Sequence, residues 1–313
     1  MKRLQNKIAE SRLALPVTAV YAVAMWLAGG LIARQQYVEF VIFALSAYLM
    51  AEMNNRNALI RVYSRMVSCS FLVFGTMASF AFNLQTTASL DAWLVQLCFI
   101  ATYIALFSSY QDKYAQGRMF YAFMFIGIAS TIFVQALFFV PILWILIGTN
   151  LMAFSARNFW ASIIGLTVPY WLYGGYCAMT DQFDLIVAHF APDVWVTPLF
   201  EGATLLKPQV IAVIAFISLC AIIGLIHFMR NSYKDKIRTR MIYETLITVT
   251  IFCFVFMILQ PAHAANLTGI LIIHAAVLIG HFLTLTHTKL TNITFYVLSV
   301  AALAITVATL IML

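Results

Sequence analysis

Apolar runs roughly 17–22 residues long recur from about Leu15 to Leu313, separated by short polar stretches, and a helix needs about 20 residues to cross a bilayer. The pattern predicts an all-α, polytopic transmembrane helical bundle of about eleven spans. The first four run from Leu15 to Ala33, Val38 to Met53, Met66 to Leu84 and Ala92 to Tyr110. The next three are Phe120 to Gln135, Leu137 to Phe154 and Trp160 to Met179. After a longer polar stretch come Val210 to Met229, Ile242 to Leu259, Gly269 to Leu285 and Ile293 to Leu313. The fifth and sixth runs are divided only around Ala136, and Pro141 interrupts the second of them, so residues 120–154 read as two full spans or as a re-entrant hairpin buried in protein. The basic start, Met1 to Arg12, looks like a signal n-region, but the run after it is long and further spans follow. We read an uncleaved first helix.

Charge fixes the expected orientation. Of the 18 Lys and Arg, all but Arg34 and Lys207 fall in alternate gaps, which the positive-inside rule places in the cytoplasm. The N-terminus is then cytoplasmic and the C-terminus periplasmic. The acids Glu39, Asp91, Asp181, Asp184, Asp193 and Glu201 fall outside, most of them on residues 180–209, the longest periplasmic segment. Its aromatics suit a stretch lying against the membrane surface. The whole chain, 1–313, reads as a single integral membrane domain with no separate soluble unit.

With 64% hydrophobic and 9% charged residues, a soluble fold is excluded. The net charge of +7 belongs to loops beside spans, so it implies membrane lipids as partners and not nucleic acid. The five cysteines lie inside apolar runs without ligand spacing, so neither zinc nor disulfides are expected, and no cofactor is implied. Ser68, Ser70, Gly75, Thr76 and Ser79 predict close helix packing in the third span.

No motif fixes a reaction; three groups carry candidate chemistry. On the outer side, Glu39, Asp181 and Asp184 are the acids suited to catalysis on a lipid-linked sugar, as general base on an acceptor hydroxyl. Asp181 and Asp184 would share a metal if their stretch were helical. The plain alternative is acids in a solvated loop. In the tenth span, His274 and His281 are seven residues apart on one helix face, and Glu244 lies at nearly the depth of His281, which suits an intramembrane polar network or proton relay. The alternative pairs Glu244 with Arg240 and leaves His274 on a backbone carbonyl. On the inner side, Asn54, Asn55, Arg56, Arg61 and Arg65 suit a phosphate headgroup, against a plain role as charge signal and helix caps.

Asn54-Asn55-Arg56-Asn57, Leu59 to Arg65, Gly165 to Trp171 and Leu259-Gln260-Pro261 together resemble an uncharacterised family of Bacteroidota integral membrane proteins. That resemblance implies a bacterial inner membrane. Residues 111–171, with Gly127, Ser130, Pro141, Arg157, Gly165 and Pro169, are similar to the middle of multi-spanning glycosyltransferases that use polyprenyl-phosphate sugars. Those enzymes place essential acids in a long first outer loop, whereas here that loop is Arg34 to Glu39 with Glu39 its sole acid. The expected role is therefore in envelope glycan or lipid-linked sugar metabolism, with or without catalysis, and a polyprenyl-phosphate-linked sugar as partner. Two others stand beside it: a small-molecule or lipid transporter or flippase, and a non-catalytic subunit bound to a membrane protein partner.

Overall fold

The computed structural model describes residues 3–82, 87–195 and 198–312. Leu84, Leu313 and the side chain of Asp193 lie outside the described residues. The described elements are helices, with no strand among them. The chain runs through α1 (Leu4–Ala9), α2 (Ala14–Ala28), α3 (Tyr37–Asn57), α4 (Met66–Ala81), α5 (Thr87–Phe107) and α6 (Gln116–Ile132). A 3-10 turn, Val134–Phe138, leads into α7 (Phe139–Thr149). Then follow α8 (Ala156–Met179), the short α9 (Phe183–His189) and α10 (Pro192–Trp195), and α11 (Pro208–Asn231). The last three are α12 (Ile237–Leu259), α13 (Ala264–Leu285) and α14 (Lys289–Ile311). Five segments, within α5 and at α11 to α14, are long and apolar enough to cross a membrane, and shorter apolar helices occupy Ala14–Ala28, Met66–Ala81 and Val134–Thr149.

Local chemistry sets the boundaries. The Ser155 hydroxyl accepts from the Asn158 amide and starts α8, while Thr288 and Thr291 form a capping box at the head of α14. Pro208 opens α11, where its missing N–H costs no bond. Ala58, at φ 47°, ends α3 in the left-handed region.

The loops gather at two opposite ends. At the basic end, Arg61 reaches the Lys234 carbonyl, Arg238 reaches Asn57 and the Phe107 carbonyl, and the Gln111 amide donates to the Leu151 carbonyl. At the acidic end, Gln135 meets His263 and the Val194 carbonyl, and the Ala262 amide donates to the Glu201 carbonyl. Residues 116–149 therefore travel from the basic end to the acidic end, turn at Val134–Phe138, and return.

α13 is the axis of the bundle. It packs against α4, α5, α11, α12 and α1, and the whole of its apolar window is buried, whereas only 17% of the α14 window is. Small residues allow this: a Cβ on Gly224 of α11 would stand 2.4 Å from the Leu278 carbonyl carbon, and one on Gly280 would stand 3.0 Å from the Val67 nitrogen. α6 and α8 cross just as closely. Pro169 lies inside α8 and removes the amide that would bond the Gly165 carbonyl. A Cβ on Gly165 would meet the Phe120 oxygen at 2.2 Å. All five cysteines are free and buried.

Candidate functional site

The three acids expected to act together at the acidic end are not brought together. Glu39 sits in the first turn of α3. Asp181 follows α8 at φ 56° and Asp184 begins α9, both exposed. The left-handed residue breaks the helical register that would have let Asp181 and Asp184 share a metal. Among the described residues, no group of three or more His, Cys, Asp or Glu is arranged to hold a metal ion. α3 packs on α5, α5 on α6 and α6 on α8.

What the acidic end does build is an anchored cover. His189 donates through Nε2 to the Ser130 carbonyl at 3.0 Å, Tyr170 donates to the Ser130 hydroxyl at 2.7 Å, and Phe138 packs edge-on to Trp195. Burial lowers the pKa of His189 from its ordinary value, with the bond to Ser130 opposing that shift. The sign follows. Above about pH 6.5 both folded and unfolded forms are neutral. As pH falls below that value the released segment takes a proton more readily, so the anchoring free energy is lost towards acid. Acidification from pH 7.5 to 5 is expected to increase hydrogen exchange in residues 183–195, and His189→Gln is expected to flatten that response.

The inner Asn and Arg residues are engaged in contacts within the protein. Arg56 pairs with Glu52, Arg65 Nη1 donates to Asn55 Oδ1 at 2.9 Å, and Asn54 Nδ2 reaches the Ser64 carbonyl at 3.4 Å. Arg61 turns the other way, onto the loop between α11 and α12, where its guanidinium lies 3.8 Å from Asp235. Asp235 belongs to a buried polar cluster. His281 Nε2 donates to Asp235 Oδ2 at 3.0 Å, and the Nδ1 atoms of His281 and His227 are 3.4 Å apart. Both partners of the ion pair are buried, with side chains 1% and 3% exposed for His281 and Asp235. Phe228 and Tyr243 stack at 4.5 Å, and both rings pack against the His281 imidazole.

Sequence spacing placed Glu244 beside His281, and here the structure corrects it. Tyr243 takes the register that faces α13. Its neighbour Glu244 is turned about 100° away, towards α7. There it accepts from Asn150 Nδ2 at 3.2 Å. Deeper in the bundle, His274 is fully buried with Nε2 2.7 Å from the Tyr103 hydroxyl, a side-chain partner and not a backbone carbonyl. His274 Nδ1 and the Tyr243 hydroxyl are buried without a hydrogen-bond partner among the described residues. Gln96 Nε2 donates to the Gly269 carbonyl at 2.8 Å one further stretch along α13.

Sequence reasoning missed Asp235, His227 and Tyr103. Asp235 had a signal: it is the one acid in the cationic stretch from Arg230 to Arg240. An unlike charge in such a run needs a reason, and its reason is His281.

The fold and this cluster define an all-helical protein whose apolar helices point to a membrane, with ionisable groups on its central helix. Compared with known proteins, the chain matches no family model, no curated protein and no solved structure.

Proposed function

We propose that the chain is a polytopic protein of a bacterial inner membrane, crossing it about eleven times with the N-terminus inside, that moves a lipid or small amphiphile in a proton-linked way. The observation that carries this reading is the buried Asp235–His281–His227 relay on the axis of the bundle. Ionisable groups buried together are costly and mark candidate functional sites. His281 gives its Nε2–H to Asp235, and its Nδ1 faces the Nδ1 of His227 at 3.4 Å. The two Nδ1 atoms share one hydrogen, so protonating both rings turns that contact into a repulsion. The facing charges are Asp235, Arg61, Lys234 and His227, one carboxylate against two fixed cations, so a second imidazolium is poorly compensated. Protonation would therefore push α11 and α13 apart at their basic ends.

The test is reconstitution into liposomes carrying an internal pH dye, under an imposed pH gradient. Wild-type protein is expected to show proton flux that rises on addition of its substrate lipid or extract, and His281→Gln and Asp235→Asn are each expected to cut it by about an order of magnitude, as loss of a proton-transfer group does. Flux unchanged in both variants would sink the proposal.

A second reading, a role in lipid-linked sugar metabolism, is favoured by one observation. His189 and Gln135 anchor the acid-bearing outer segment onto the stretch, residues 111–171, that resembles the polyprenyl-phosphate-dependent glycosyltransferases. A deletion strain lacking a surface glycan that wild-type but not Asp184→Ala protein restores would decide for it. Intact glycans after deletion would remove it.

A further inference from the structure

On the other side of α13 from the polar cluster, α2 and α14 both lean on α4 and leave a cavity of about 440 Å³ between them. Its walls are mostly apolar side chains, with Phe216 and Cys220 of α11 and Ile279 and Leu283 of α13 among them. We propose that this cavity holds one acyl chain of an anionic phospholipid drawn from the cytoplasmic leaflet.

Four observations converge on that occupant. The cavity opens sideways, because Val17 and Leu303 line it and are still 66% and 55% exposed. In a bilayer, what lies beside such an opening is lipid. Its length fits: from Phe295 to Leu303 along α14 it spans roughly 12 Å, most of the ~15 Å depth of one leaflet. It is closed at its deep end, where the Tyr21 hydroxyl donates to Thr306 at 3.1 Å across the gap between α2 and α14. It is cationic at its shallow end, where α1 and α2 join and α14 begins. Lys7, Arg12 and Lys289 are exposed there, with Glu10 the acid on the same segment. A zwitterionic headgroup gains little from that excess, whereas phosphatidylglycerol gains at each cation.

The inference rests on the membrane embedding proposed above and not on proton movement, so a protein without proton flux can still label its slot. The experiment uses the full chain in vesicles of phosphatidylglycerol or phosphatidylcholine, each carrying a trace of the same phospholipid with a photoreactive diazirine in its tail. After illumination, cross-links are mapped by peptide mass spectrometry. We expect them concentrated on residues 66–74 and 295–303, over the lipid-exposed face of α8 at Trp171 and Leu172, and stronger in phosphatidylglycerol. Ser299→Trp fills the slot from an exposed position and is expected to cut the slot cross-links at least about five-fold. Lys7→Gln and Arg12→Gln, on exposed sites remote from the core, are each expected to lower the preference for phosphatidylglycerol about five-fold, near the effect of one interfacial cation. Equal labelling of the slot and the α8 face, or slot labelling untouched by Ser299→Trp, would overturn the proposal.

Discussion

Asp235→Ala is expected to lower the free energy of unfolding by about 3 kcal/mol, the low end for breaking a buried ion pair from one side. The carboxylate is the acceptor for His281 and the counter-charge for Arg61. Arg61 is 41% exposed and is re-solvated when its partner goes, so most of the loss arises at His281, which is left with a buried and unanswered N–H. Titration with a denaturing detergent, followed by circular dichroism, measures it. Removing both partners separates pairing from simple truncation. The double variant Asp235→Ala/His281→Phe is expected to be more stable than the two single losses predict, by about 1–2 kcal/mol of coupling. Strict additivity would show that the pair contributes nothing as a pair.

An effect of similar size is expected at the α6–α8 crossing. Gly165→Ala would drive a methyl group to 2.2 Å from the Phe120 oxygen, a backbone atom that cannot swing aside. The two helices must separate, at a cost of about 3 kcal/mol or more by overpacking, and Gly165→Leu is expected to prevent them from docking. The control lies on the same helix. A Cβ at Gly175 would meet nothing within 4 Å, so Gly175→Ala should stabilise by up to about 1 kcal/mol through helix propensity alone. If both alanine variants behaved alike, close packing at Gly165 would not be what holds α8 in place.

The helices were legible because each apolar run is long and most of its breaks carry charge. Their burial was not. α13 and α14 have mean hydropathies of 2.0 and 2.2, yet one is buried throughout and the other faces outward along most of its length. Lipid tails and a protein interior select the same side chains, so hydropathy cannot separate them. Only the polar residues of α13 marked it, and His274 and His281 were read on that ground. Their partners were harder. Glu244 has the right depth for His281 but the wrong azimuth, which one residue of register decides. Asp235 lies in a loop, and nothing in the spacing of a loop says where it folds back. The outer acids failed for a related reason: a three-residue spacing brings Asp181 and Asp184 onto one face only in a helix, and the left-handed turn at Asp181 interrupts it.

The position of α13 also sets an order of assembly. Its neighbours α1, α4, α5, α11 and α12 all precede it in the chain, so every wall of its berth is synthesised before it emerges. Until then the earlier helices enclose a space that only α13 fills, with Gly224 bare of the backbone it is shaped to meet and Asp235 without its imidazole. α13 thus acts as a keystone. A nascent chain stopped before residue 264 is expected to leave Asp235 and Tyr103 without the imidazoles that answer them in the finished protein.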